Sequence, residues 1–219
     1  MYFSDKRIQV ICDQLKALRI RDSRELPNWQ YKRGLFFRPE EAEKDGQPWQ
    51  NFDCKRMHWY SVYDGSDDFE GKFEGYQGDF KGIQGEHYWF RGNITIPEEM
   101  AGKSVWMKIR TQIEEWDDGK NPQFLVFVDG KVTQGADMNH RDIQLFAQAP
   151  VGQTLTVDIQ AYTGTLHREF HFLVDLYVLD EAINHLYYDL QVPLWAFSRM
   201  DPDDKTRLDI QTVLNHAVN

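Results

Sequence analysis

Phe124-Leu125-Val126-Phe127-Val128-Asp129-Gly130-Lys131-Val132-Thr133 is the stretch on which the fold turns. Five successive apolar residues suit a strand covered on both faces. Asp129-Gly130 then supplies the positive φ angles of a two-residue turn, so Lys131 to Thr133 is predicted to pair back. The neighbouring segments alternate instead. Residues 88–96 put Tyr88, Phe90, Ile94 and Ile96 on one face and Trp89, Arg91, Asn93 and Thr95 on the other. Residues 104–112 set Val105, Met107 and Ile109 against Trp106, Lys108 and Arg110. Residues 154–161 set Leu155, Val157, Ile159 and Ala161 against Thr154, Thr156, Asp158 and Gln160. Period-two alternation marks strands with one face in a core. Residues 168–179 read as one long last strand with Phe170, Phe172, Val174, Leu176 and Val178 inward. Short strands with turns every eight to twelve residues predict a mainly β chain, a sandwich or jelly roll over residues 87–180.

Helices flank this core. Residues 4–19 carry Ile8, Ile11, Leu15 and Leu18 at helical spacing, with Ser4 as the cap. Residues 21–86 are irregular and are expected to pack on the sandwich. Within them Trp29 to Lys32 suits a strand, and Pro39 to Glu43 one helical turn with Pro at its first position. Residues 64–86 form an acidic, glycine-rich loop. From residue 181 the period becomes helical through Ile183, Leu186, Tyr187, Leu190, Leu194 and Phe197, with Asp180 as cap and Pro193 as a kink. Asp201-Pro202-Asp203-Asp204 reads as a second helix start, and Ile210, Val213, Leu214 and Ala217 continue an apolar stripe. The two helices make a hairpin over residues 181–219 whose outer apolar face has no evident cover, which suggests a linker toward a further domain.

Composition narrows the function. The chain has 219 residues, enough to bury a core without staples. Its net charge of −10 repels phosphate backbones, so no nucleic-acid partner is expected. Charged residues interrupt the N-terminal segment, and no apolar run reaches the ~20 residues of a membrane span. These features point to a cytoplasmic protein without membrane contact. Cys12 and Cys54, the only cysteines, form neither a disulfide framework nor a four-ligand zinc site.

Motifs for catalysis are sparse. The chain contains no nucleophile elbow, phosphate loop or dinucleotide fingerprint. Asp64, Ser66, Asp68 and Glu70 echo a calcium loop, but Phe69 stands where glycine is required. His167 and His171 lack the zinc-protease pattern, and His140 with Asp142 offers too few ligands for zinc. Glu114-Glu115 and Asp117-Asp118 beside Trp116 are paired carboxylates of the kind a glycosidase uses, and they read more simply as a solvated loop. No catalytic residue and no metal ligand are assigned.

Two places could make contacts. Trp89 and Arg91, with Trp106, Lys108 and Arg110 expected on the next strand, form an aromatic and basic sheet face. Such a face either stacks on a sugar or lies beneath the N-terminal segment or another domain. The polar loop Asp137-Met138-Asn139-His140-Arg141-Asp142 is either a self-bonded turn or a ligand or interdomain contact. The candidate contact residues are therefore Trp89, Arg91, Asp137, Asn139, His140 and Arg141.

Several of these segments resemble one family. Tyr88-Trp89-Phe90-Arg91 with Ile94-Thr95-Ile96-Pro97 and Gly102, then Phe127-Val128-Asp129-Gly130, then Gln134-Gly135-Ala136-Asp137-Met138-Asn139-His140-Arg141, resembles the N-terminal region of family 38 α-mannosidases among glycoside hydrolases. Leu186-Tyr187-Tyr188-Asp189-Leu190 resembles the linker before their catalytic barrel. The resemblance implies a galactose-binding-like jelly-roll sandwich ahead of a zinc-dependent retaining mannosidase domain. The family's Gly-His-x-His-x-Asp zinc motif is missing here, so zinc is expected only in the catalytic domain, and this chain carries no cofactor. The expected function is that of a non-catalytic N-terminal domain, with its own catalytic domain and a second subunit as the candidate partners. The alternative is a free-standing carbohydrate-binding module that takes a mannose-containing glycan. A self-contained glycosidase would instead turn over an aryl mannoside on its own.

Overall fold

The computed structural model describes residues 5–53, 58–60, 69–71, 80–82, 87–111, 123–137, 139–162 and 169–218. Helix α1 (Asp5–Leu18) leads into strands β1 (Ile20–Glu25) and β2 (Asn28–Arg33), helix α2 (Pro39–Lys44), and strands β3 (Gln50–Asp53) and β4 (His58–Tyr60). Strands β5 (Phe69–Gly71), β6 (Phe80–Gly82), β7 (His87–Thr95), β8 (Val105–Arg110), β9 (Gln123–Val128) and β10 (Lys131–Ala136) follow. Then come β11 (Asp142–Phe146), β12 (Thr154–Tyr162), β13 (Glu169–His171), β14 (Leu173–Leu179), and helices α3 (Glu181–Arg199) and α4 (Lys205–Ala217). The chain is mainly β, with two main antiparallel sheets and helices at both ends of the sequence. One sheet runs β10-β9-β12-β7-β2-β3 and the other β1-β14-β8-β11. Two small ladders pair β13 with β4 and β5 with β6.

Ser23–Tyr177 forms one compact unit. Its six-stranded sheet is centred on β12, which pairs antiparallel with β7 on one side and β9 on the other. The β9–β10 connection is the Asp129-Gly130 turn read from the sequence. Both residues have positive φ, 48° and 75°, and Lys131 pairs with Val128. Glycine at 130 removes the Cβ that this conformation would strain. On the inner face of the sheet Trp29, Tyr31, Phe52, Phe90 and Phe124 are buried. Phe172, just before β14, stacks on Phe90 at 3.9 Å between centroids and meets Trp29 edge-on at 5.5 Å. Gly92 has no room for a side chain there, because a Cβ would lie 2.9 Å from the Trp29 ring. The four-stranded sheet buries Val105, Met107 and Ile109 of β8, as alternation predicts, and also Ile143 of β11.

Two expectations for this unit need correction. Residues 168–179 are not one strand: β13 joins β4 and β14 joins the four-stranded sheet. The break falls at Phe172, which belongs to neither strand and stacks its ring on Phe90. Residues 64–86 include one short hairpin ladder, β5 with β6, and the rest of that loop lies outside the described residues.

Met1–Asp22 with Val178–Asn219 forms a second compact unit. Ile8 and Cys12 of α1, Tyr187, Leu190 and Leu194 of α3, and Leu214 of α4 make its core. The Asp180 carboxylate accepts the Ile183 N–H and caps α3. Helix α3 continues through Pro193. Helix α4 starts later than expected. Asp201 to Asp204 closes as a turn, and Asp204, not Asp201, caps the helix by accepting the Thr206 N–H at 2.7 Å. The apolar stripes are only partly inward: Leu18, Leu186 and Val213 stand 49–67% exposed. Tyr188, Val192 and Trp195, spaced i, i+4 and i+7 on α3, are also exposed.

The aromatic cluster sets a stability expectation. Phe172 is 1% exposed, so Phe172→Ala removes a ring that four other rings contact and leaves a cavity. The expected loss is about 3–5 kcal/mol, read as a lower urea midpoint at unchanged slope. Phe172→Leu should recover more than half of it.

Candidate functional site

The outer face of β7 carries a dense set of polar side chains beneath a covering segment. Alternation turns Trp89 and Arg91 away from the Phe90 side, and the pairing register brings Asp158 of β12 opposite Arg91. On the other flank, Gln30 of β2 pairs with Arg91 and Lys32 with Trp89. Residues 34–49, which contain α2, lie across this face. Ala42, Trp89 and Phe127 form a buried cluster with Phe36, Trp49 and Leu125 packed around it. Trp89 is fully covered, and its indole nitrogen finds no acceptor among the described residues.

Charges fasten the segment down. Lys32 is 3% exposed and donates to the Ala42 carbonyl and to Asp45 Oδ1, both at 2.5 Å. Gln160 donates to the Phe36 carbonyl at 2.6 Å. Arg91 Nε donates to Asp158 Oδ1 at 2.6 Å, and one Arg91 Nη donates to Glu43. The Trp49 ring receives Arg91 at 4.6 Å and Lys32 at 5.1 Å from its centroid. Its indole N–H donates to Glu43 at 3.2 Å.

These contacts shift the acids in opposite directions. The Arg91 hydrogen bond holds the Glu43 carboxyl below the usual carboxylate range. The Lys32 hydrogen bond does the same for Asp45, helped by the Gln47 N–H. Burial pushes Asp158 upward against the pull of Arg91, since the carboxylate is almost wholly out of water. Beside the pair opens a pocket of about 430 Å³, bounded by α2, the Asp129-Gly130 turn, Thr156 and Asp158.

The other candidate residues lie elsewhere. The segment 137–141 is the connection from β10 in one sheet to β11 in the other. In the sheet order β10 is three strands from β7, roughly 14 Å at ordinary strand spacing. Trp89 and Arg91 therefore do not share a site with this loop. Asp137 accepts the N–H groups of Asn139 and His140, each at 2.8 Å, and sits 3.0 Å from His140 Nδ1. Burial raises its carboxyl, but those two donors and the His140 ring together hold it below the ordinary range. The His140 ring is exposed, and the Arg141 carbonyl accepts the Ile109 N–H. This is the self-bonded turn that Asx chemistry favours.

The expected continuity of Trp89 and Arg91 with Trp106, Lys108 and Arg110 is overturned. Strand β8 belongs to the other sheet. There Arg110 pairs with Asp175 and Glu25, Lys108 lies 3.5 Å from Asp142, and Trp106 donates to Ser104. Glu114 to Asp118, His167, Met138, and the Asp64, Ser66 and Asp68 of the calcium-like loop lie outside the described residues. Among the described residues no three His, Cys, Asp or Glu side chains gather closely enough to hold a metal. Sequence reasoning found Arg91 but missed Lys32, Glu43, Asp45, Trp49 and Asp158. Asp158 had a signal, a carboxylate between Val157 and Ile159; the others had none, because sheet pairing and the crossing segment bring them together.

No family model matches the chain, and no curated protein matches it. Among solved structures it is similar to a putative β-galactosidase from Bacteroides fragilis, at 16% identity and TM-score 0.45, covering 73% of this chain and 23% of that one. It is also similar to a β-glucuronidase from Ruminococcus gnavus, at 14% identity and TM-score 0.44, covering 73% and 29%. A β-glucuronidase from an uncultured Clostridium species has 11% identity and TM-score 0.43, again covering 73% and 29%. The chain thus spans less than a third of the length of each.

Removing one partner of the buried pair should cost more than removing both. Arg91→Ala leaves Asp158 uncompensated and is expected to lower unfolding free energy by roughly 3 kcal/mol, the low end of the buried-pair range, because Arg91 keeps some solvent contact. Adding Asp158→Asn should recover at least half of that loss in urea titrations. For Asp45 the folded value lies below the unfolded one. Its contribution is therefore present above the unfolded value and is lost as pH falls through the folded one. The melting-temperature gap between the native chain and Asp45→Asn should stay constant near neutrality. It should close only below about pH 3.9, as followed by circular dichroism.

Proposed function

We propose that this chain is the non-catalytic N-terminal domain of an α-mannosidase-type glycoside hydrolase, a galactose-binding-like β-sandwich that supports a catalytic domain. The observation that carries the reading is the exposed apolar stripe on α3: Tyr188, Val192 and Trp195 are 43%, 51% and 48% exposed on one side of a helix whose other side is already in a core. A contiguous apolar helix face is the kind of surface that another protein layer covers. It lies in and just beyond Leu186 to Leu190, the stretch that resembles the linker before a catalytic barrel. Two sheets that each bury one face, with Phe172 stacked on Phe90, suit the sandwich architecture. Zinc would belong to the catalytic domain.

The geometry of Trp89 favours this reading over a free-standing module built on Trp89, Arg91 and the 137–141 loop. A sugar-stacking indole must present its ring, and this one is 0% exposed beneath Ala42 and Phe36. The loop that would complete such a module belongs to another part of the sheet.

The chain alone should not hydrolyse 4-nitrophenyl α-mannoside, with or without added zinc, and zinc-dependent turnover by it would overturn the proposal. In the polypeptide that joins it to a catalytic domain, Trp195→Asp should lower the melting temperature by several degrees while kcat is retained. An unchanged melting temperature would count equally against it.

A further inference from the structure

We propose that the pocket between α2 and the Asp129-Gly130 turn binds a neutral saccharide, recognised by its hydroxyl groups through Arg91, Asp158 and Lys44. The pocket holds about 430 Å³, within the ~300–1,000 Å³ of small-molecule sites. Its floor is a side chain almost entirely out of water, Asp158, at 1% exposure. One carboxylate oxygen is used by Arg91 Nε; the other accepts no hydrogen bond from a described residue. Arg91 in turn commits its Nε to Asp158 and one Nη to Glu43, and its second Nη donates to no described residue. A buried acceptor and an adjacent donor therefore border the same space, each with capacity left.

That pairing matches vicinal hydroxyls. Each hydroxyl offers one donor and two acceptor lone pairs, so one can donate to Asp158 while its neighbour accepts from Arg91. Lys44 and Glu40 at the exposed rim supply a second donor and a second acceptor. The charge balance argues against anions: Glu40, Glu43, Asp129 and Asp158 outnumber Lys44 and Arg91. A metal ion is also disfavoured, since no three acidic side chains among the described residues converge. The proposal does not rest on the accessory-domain reading, because the site lies wholly within Ser23–Tyr177 and uses neither the α3 stripe nor the indole of Trp89.

The test is a titration of the ¹⁵N-labelled chain with mannose, galactose and glucose in turn, following amide shifts. At least one sugar is expected to give saturable shifts at Lys44, Gly130 and Thr156. Apparent affinity should fall at least fivefold in both Lys44→Ala and Glu40→Gln, exposed rim positions whose replacement leaves the fold intact. Absence of saturable shifts with all three sugars overturns the proposal, as does binding that both variants leave unchanged. Calcium chloride reproducing the shifts without sugar also overturns it, in favour of a cation. Failure here leaves the accessory-domain reading in place, whereas turnover of an aryl mannoside would remove that reading and not this one.

Discussion

Strand β7 must bury both of its faces at once, and the organisation of the β unit follows from that constraint. Phe90 is fully buried on one side and Trp89 on the other. Each side chain needs its own partner layer, because a pleated strand cannot turn two successive residues to one side. On the inner side the partner is the aromatic cluster around Phe172. On the outer side no second sheet is present among the described residues, and residues 34–49 do the covering. The two solutions differ in chemistry: the inner layer is rings and aliphatics, whereas the outer layer is a short helix fastened through Lys32, Gln160 and Arg91.

A layer pinned by charges behaves differently from one held by hydrophobic packing. Lys32 and Arg91 lose hydration when covered, and that loss is offset only if carboxylates and carbonyls meet them at good geometry. Asp45, Glu43, Asp158 and the Ala42 carbonyl do so, and the Trp49 ring lies against both cations. Beside this arrangement opens the pocket lined by α2, the β9–β10 turn and Asp158.

The elements were legible where local physics decides. Alternation located β7, β8 and β12, the apolar run and Asp129-Gly130 located β9 with its turn, and Asp180 announced the start of α3. Misreadings occurred where a local rule had a competitor. Phe172, Leu173 and Val174 look like the middle of a strand, yet the chain changes sheets there. Asp201-Pro202 satisfies every local rule for a helix start, but a turn ending at Asp204 takes its place. The face predicted to unite Trp89 with Trp106 failed because alternation tells which residues share a side of one strand and says nothing of which strand lies next to it.

From sequence alone came the mainly β character, the helices at both ends, the tight turn at 129–130 and the singling out of Arg91. Each rests on interactions within a few residues or on a periodicity that a single strand or helix displays. Tertiary structure alone decided that Arg91 meets Asp158 and Glu43, that Lys32 is buried on Asp45, and that Trp89 is closed to solvent. Those contacts join residues up to 67 positions apart, and sheet order and the path of a crossing segment bring them together. Neither is encoded in the spacing of the residues themselves.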